Sequence, residues 1–163
     1  KPVVAAVNGV AAGAGANLAL ACYFVVAADT ASFIQSFCHV GLIPDSGGTW
    51  MLPRLVGLAR ATELAMLGEK LSAERALAWG MIHRVVPAAE LHEAAGALAA
   101  RLAAMPTRGL GLIKRGFEEG FGATLDAQLD REEALQRTAG RPADYAEGVR
   151  AFVEKRKATF SGQ

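Results

Sequence analysis

The chain has 163 residues, of which 52% are hydrophobic, and its formal net charge is +1 at neutral pH. This balance gives no electrostatic basis for binding nucleic acid or an anionic membrane. The longest apolar stretches, such as residues 19–28, are shorter than the roughly 20 residues that span a bilayer. We therefore expect a globular, cytoplasmic protein that binds neither nucleic acids nor membranes.

The first third of the sequence predicts strands and helices that alternate along the chain. Residues 3–7 are apolar throughout, which is typical of a strand buried on both faces of a parallel sheet. In chain order we predict a strand over 3–7, a glycine-rich turn over 8–15, a helix over 16–22, a strand over 24–27, extended chain over 31–37 and a loop over 40–50.

The rest of the sequence predicts mainly helices. Ser72 has the place of an N-cap, and Glu74 follows in the first turn, where a carboxylate favours the helix dipole. We predict helices over 49–56, 58–67, 73–80, 89–104, 107–120, 124–138 and 143–157, and a strand over 81–87. This order indicates an α/β core over residues 1–104 and a helical region over residues 105–163.

Three glycines fall within residues 9–15, immediately before a predicted helix. A phosphate-binding loop would need Gly-Lys-Ser/Thr here, and a dinucleotide fingerprint would need a glycine in place of Leu18, so the sequence favours neither. A strand, a glycine turn and a helix N-terminus direct backbone N–H groups at one point, where they can hold an oxyanion. The alternative is that Gly13 and Gly15 only let helix and strand pack closely.

A second glycine-rich loop, "GLIPDSGGTW" over residues 41–50, places Asp45 ahead of a predicted helix. A carboxylate in this place can cap that helix. It can also transfer protons as a general acid or base, for which desolvated, apolar surroundings would suit it. Both roles stay open on the pattern alone.

Taken together, four segments resemble the crotonase family of enoyl-CoA hydratases and isomerases. They are "KPVVAAVNGVAAGAGANLALACYFVVAA", "FIQSFCHVGLIPDSGGTWMLPRLVG", "LSAERALAWGMIHRVV" and "EGVRAFVEKRKATF", in the family's order. The resemblance implies a spiral of ββα turns, of which residues 1–104 form the C-terminal part, followed by a helical trimerisation region over 105–163. It also implies an acyl-CoA substrate whose thioester enolate oxygen lies between two backbone N–H groups.

The resemblance assigns roles to individual positions. The backbone N–H of Ala14 is one oxyanion donor, and the other lies in the N-terminal part of the family chain. Asn17 and Phe37 occupy the positions of the two hydratase glutamates, so neither can act as an acid or base, and both are expected to line the substrate pocket. Asp45 matches the aspartate that shuttles a proton in isomerase branches of the family.

Near the C-terminus, Phe152 and Lys155 match family positions that contact coenzyme A across a subunit boundary, although an ordinary amphipathic helix explains the same spacing. We expect a homotrimer or dimer of trimers, no cofactor other than the coenzyme A of the substrate, and no metal. Because the family's first oxyanion donor has no counterpart in these residues, we expect them to show no turnover alone. A hydratase or lyase and a noncatalytic CoA-binding homologue remain the alternatives.

Overall fold

The computed structural model describes all residues 1–163, and the chain divides into two compact units. One unit comprises Val3–Ala99, and the other comprises Lys1–Pro2 with Ala100–Gln163. The predicted boundary after residue 104 stays a prediction.

The larger unit contains six short strands in two three-stranded sheets. The strands are β1 (Val4–Val7), β2 (Val10–Ala12), β3 (Phe24–Ala28), β4 (Ser32–Ile34), β5 (Leu71–Ser72) and β6 (Arg84–Val86). One sheet has the order β1-β3-β6 and is parallel throughout, with Val4 opposite Phe24 and Val26 opposite Arg84. In the other, β2 pairs with β4 in parallel and β4 pairs with β5 in the antiparallel sense.

Successive strands alternate between the two sheets. The pair β1 and β2 contributes one strand to each sheet, and the pair β3 and β4 does the same one step further along. Each pair is followed by helix, so the chain advances as a spiral of strand–strand–helix turns. This is the α/β architecture that the sequence predicts.

Eight α-helices complete the fold. They are α1 (Ala14–Leu20), α2 (Gly48–Val56), α3 (Leu58–Leu67), α4 (Ala73–Ala78), α5 (Leu91–Ala103), α6 (Thr107–Gly120), α7 (Leu125–Ala139) and α8 (Ala143–Val153). Ser72 caps α4 as predicted, because its side chain accepts a hydrogen bond from the backbone N–H of Arg75 at 3.3 Å. No helix is both long and apolar enough to cross a membrane.

Several strand and helix predictions were wrong in their bounds, and β5 was not predicted. The predicted turn over residues 8–15 contains β2, and the predicted extended chain over 31–37 ends at Ile34, so that Phe37 lies in a 3₁₀ helix over Ser36–Val40. The last helix ends at Val153 instead of residue 157. There Lys155 is left-handed (φ 54°), and the N–H of Arg156 donates to the carbonyl of Ala151 at 3.0 Å, which closes a Schellman motif.

The hydrophobic core lies in the unit Val3–Ala99. Its central side chains come from β3, β4 and the helices packed on the sheets, and Val26, Phe33, Leu52, Leu71 and Leu91 are among those almost completely buried. The smaller unit buries far less, and α6 to α8 leave large apolar side chains exposed. Those with the greatest exposure include Ile113, Phe117, Phe121, Leu125, Phe152 and Val153.

Two carboxylates hold the last residues of the chain against α8. Asp144 is buried and accepts hydrogen bonds from the backbone N–H groups of Ser161 and Gly162 at 2.7 and 2.8 Å. Glu147 forms a bidentate pair with Arg156 at 2.7 and 2.9 Å and accepts from the N–H of Thr159 at 3.0 Å. The Arg156 guanidinium is the main reason that the pKa of Glu147 falls from 4.5 to about 2.

The stability that Glu147 contributes should therefore depend on pH. A carboxylate with a lowered folded-state pKa stabilises the fold above its unfolded pKa of 4.5, and this stabilisation disappears as the pH falls towards 2. We expect Glu147→Gln to lower the thermal unfolding midpoint at pH 7 and to lower it progressively less below pH 4.5. The exposed Glu133, paired only within α7, supplies the control Glu133→Gln. A Glu147→Gln difference that does not change with pH would contradict this account.

Candidate active site

The glycine-rich turn ends at Gly13, and α1 begins at the next residue. Gly13 has a φ of 53°, which side-chain-bearing residues rarely adopt, and its N–H donates to the carbonyl of Ile34 in β4 at 2.8 Å. No side chain caps this helix, so the N–H of Ala14, its first residue, has no acceptor within the chain. Ala14 is half-buried. The turn therefore presents a free backbone donor at the predicted oxyanion position.

Phe37 lies beside this turn. Its side chain is 9% exposed, and a methyl group on Gly13 would lie 3.5 Å from the Cζ atom of the Phe37 ring. The 3₁₀ helix over Ser36–Val40 places the ring there. An apolar ring thus borders Gly13, the residue before the free N–H of Ala14, while its contact with a substrate stays a prediction.

Asp45 begins a tight turn that leads into α2. The N–H of Gly48 donates to the Asp45 carbonyl at 2.7 Å, and both central residues, Ser46 (φ 49°) and Gly47 (φ 81°), are left-handed. This is a type I′ turn, which is strained at a serine. Ser46 Oγ also donates to Asp45 Oδ1 at 3.0 Å.

The Asp45 carboxylate does not cap α2, because the N-cap is Gly47 and no side chain bonds to that helix end. It is exposed, so these residues do not supply the desolvated, apolar surroundings that would suit proton transfer. The Asp45 carboxylate can still act as a general acid or base, because its only hydrogen bond within the chain is the one from Ser46 Oγ.

Asn17 connects the two loops. Its side chain is 0% exposed; its Nδ2 donates to the backbone carbonyl of Asp45 at 2.9 Å, and its Oδ1 accepts from Gln35 Nε2 at 2.8 Å. A methyl group on Gly48 would lie 2.8 Å from Asn17 Cγ, so only glycine fits beside the amide. Asn17 therefore has an internal structural role here, and its predicted contact with substrate stays a prediction.

Sequence reasoning missed Gln35 and Gly48. Both partners of the Asn17 amide are distant in the chain, 18 residues away for Gln35 and 28 for Asp45, so no local spacing relates them. The sequence carries one indication of this contact: Gly48, the second glycine of the pair, is not required by the turn itself.

The predicted coenzyme A contacts, Phe152 and Lys155, belong to the other unit. Phe152 is 85% exposed near the end of α8, and Lys155 is exposed in the Schellman motif that follows. Both side chains are accessible to a ligand. No three His, Cys, Asp or Glu side chains cluster in a way that could hold a metal ion.

Comparison with known proteins identifies the class of fold. A crystal structure of an enoyl-CoA hydratase from Polaromonas sp. JS666 superposes with a TM-score of 0.94 at 42% sequence identity, covering 99% of this chain and 63% of that one. The family model described as "Enoyl-CoA hydratase/isomerase" matches residues 1–163. The chain therefore belongs to the enoyl-CoA hydratase/isomerase, or crotonase, family, and the predicted resemblance and fold are confirmed.

Two curated relatives carry different names. The chain is 56% identical over 163 residues to the "1,2-epoxyphenylacetyl-CoA isomerase" of Escherichia coli (strain K12). It is 49% identical over 162 residues to the "Probable enoyl-CoA hydratase" of Rhodobacter capsulatus. All of this chain matches the first relative and 99% matches the second, but the chain spans only 62% and 63% of their lengths.

Proposed function

We propose that this chain forms part of an isomerase of acyl-CoA thioesters that transfers a proton through Asp45. The supporting observation is the tether from Asn17, which joins the turn carrying Asp45 to the helix whose first N–H, that of Ala14, is free. The family positions of the two hydratase glutamates hold Asn17 and Phe37, neither of which can transfer a proton. Asp45 is then the acid–base group of the two loops.

The proposed step conserves every atom of the substrate. The Asp45 carboxylate removes a proton from one carbon of the acyl chain, and the electron pair moves to the thioester oxygen. That enolate oxygen accepts a hydrogen bond from the N–H of Ala14, which stabilises charge where it develops. The Asp45 acid then returns the proton to another carbon, and the double bond moves.

We propose 2-(1,2-epoxy-1,2-dihydrophenyl)acetyl-CoA, an intermediate of phenylacetate breakdown, as the substrate. For this substrate the ring carbon–carbon bond that the epoxide spans opens to give a seven-membered oxepin, and Asp45 then moves a proton from the acyl α-carbon to a ring carbon. The support is the identity to the relative named for this reaction, together with the apolar ring of Phe37 beside the oxyanion turn. A hydratase or another lyase of the family is the second candidate, and the name of the second relative favours it. A noncatalytic CoA-binding homologue is the third.

We further propose a cytoplasmic homotrimer or dimer of trimers, in which Phe152 and Lys155 contact coenzyme A held by a neighbouring subunit. The support is the exposure of both side chains and of the apolar faces of α6 and α7, which assembly would cover.

A substrate panel separates the three candidates. The full-length protein is assayed with 1,2-epoxyphenylacetyl-CoA, a 3-enoyl-CoA and crotonyl-CoA. We expect isomerisation of the first two and little hydration of the third, because hydration has no paired carboxylates here. Rapid hydration of crotonyl-CoA would favour the hydratase, and binding of all three without turnover would favour the noncatalytic homologue.

A further inference from the structure

We propose that Asn17 is a positioning residue that sets the place of Asp45 relative to the oxyanion end of α1. The proposal rests on the proposed function of Asp45. Asn17 lies three residues after Ala14, one turn along the same side of α1. Its Nδ2 reaches across to the Asp45 carbonyl at 2.9 Å, so one fully buried amide links the helix that carries the oxyanion donor to the turn that carries the acid.

The main-chain carbonyl of Asp45 determines which way round the Asn17 amide lies, because a carbonyl can only accept a hydrogen bond and therefore requires the NH₂ group of Asn17. Asn17 Oδ1 then lies on the opposite side, where it accepts from Gln35 Nε2 at 2.8 Å, and Gln35 Oε1 has no hydrogen-bond partner. Rotating the Asn17 amide by half a turn would set two donors against each other at Gln35 and two acceptors at Asp45. Gln35 is itself 2% exposed, so the pair lies in a dry interior where such mismatches are costly.

The turn that carries Asp45 is strained, so the hydrogen bond from Asn17 is needed to hold it in place. Ser46 is left-handed at a φ of 49°, a conformation that costs free energy at a serine. The tether ends on the same Asp45 carbonyl that accepts the closing hydrogen bond from Gly48. Gly48 makes room for the amide, because a side-chain methyl there would collide with Asn17. Loss of the tether should therefore let the turn relax and the carboxylate move.

The isosteric change Asn17→Asp tests the tether with little change of shape. The new carboxylate can still accept from Gln35, but its other oxygen is set against the Asp45 carbonyl. A catalytic group misplaced by about 1 Å can cost on the order of 100-fold in rate. We expect kcat for 3-enoyl-CoA isomerisation to fall by roughly this factor, with KM within about threefold of wild type. Gln163→Glu, the corresponding amide-to-carboxylate change at an exposed residue outside both loops, is the control.

A second pair of variants keeps the test independent of folding. Gly48→Ala should destabilise the protein through its clash with Asn17. The double variant Asn17→Ala/Gly48→Ala should unfold at a higher temperature than Gly48→Ala, since the shorter side chain in place of the asparagine leaves room for the new methyl group, but below wild type, because Gln35 Nε2 loses its acceptor. We expect kcat of the double variant to stay low. A wild-type kcat in the folded double variant, or in Asn17→Asp, would overturn the proposal.

Hydrogen exchange distinguishes failure of this proposal from failure of the proposed function. We expect the N–H of Gly48, which closes the turn, to exchange faster in Asn17→Asp than in wild type, whatever reaction the protein catalyses. If the wild type does not isomerise any thioester, the proposed function fails and the exchange rate still reports on the tether. An unchanged exchange rate at Gly48 would overturn the tether itself.

Discussion

Replacing Asp45 with asparagine should reduce isomerisation by about 10²- to 10⁴-fold, the range over which a positioned acid–base group accelerates proton transfer. Asparagine has the shape of the carboxylate and retains an oxygen that can accept from Ser46 Oγ. Its backbone carbonyl still accepts from Asn17 and Gly48. The turn should therefore persist, and acyl-CoA binding should be nearly unchanged while proton transfer is lost. Steady-state kinetics with a 3-enoyl-CoA and titration with a non-reacting acyl-CoA measure the two effects.

Asp126→Asn is the matched control for this substitution. Asp126 is an exposed aspartate in the first turn of α7, and its loss should leave isomerisation within about twofold of wild type. Full activity of Asp45→Asn would rule out Asp45 as the acid–base group. A parallel loss of binding and kcat would instead indicate that the substitution disturbs the pocket.

Replacing Ala14 with proline should lower kcat by about 10²- to 10³-fold, the effect of removing one oxyanion donor. Proline has no N–H, but the first position of a helix is where it fits best, because that N–H has no acceptor in the helix. The preceding Gly13 has φ 53° and ψ −126°, the mirror image of the extended conformation that residues before proline adopt. The helix should therefore form with the donor deleted.

Leu58→Pro controls for the insertion of proline. Leu58 is the first residue of α3, is exposed and also follows a glycine, Gly57, in a left-handed φ of 79°. We expect this variant to fold and to retain activity. Circular dichroism of both variants checks their helix content. An Ala14→Pro variant that folds and keeps a wild-type kcat would show that the oxyanion is held elsewhere.

Burial pattern explains which strands and helices were predictable. β3, whose five residues are buried or nearly so, stands out as an apolar run, and α6 was predicted with its observed bounds. β2 has three residues, mostly exposed, inside a glycine-rich turn, and it is a strand only because β4 pairs with it. The start of α1 was placed two residues late because the left-handed Gly13, and not a capping side chain, begins that helix.

The candidate site was predictable where a position carries its chemistry locally. Asp45 stands in a recognisable turn, whereas Ala14 was assigned only through the resemblance to the family, and the roles of both stay predictions. The bond from Asn17 to Asp45 could not be inferred, since it joins residues 28 apart through a packing contact that depends on Gly48. The Schellman motif at Lys155 was missed for a similar reason, because lysine stands where glycine is the usual signal.

The tether from Asn17 ends on the main chain of residue 45 and leaves its side chain untouched. The hydrogen bond that positions the loop therefore does not depend on which side chain residue 45 carries. A substitution at residue 45 can replace or remove the reactive side chain while the main-chain geometry around it stays the same. A substitution at residue 45 alone can therefore change the chemistry of the site, whereas a substitution at Asn17 removes hydrogen bonds to both Asp45 and Gln35.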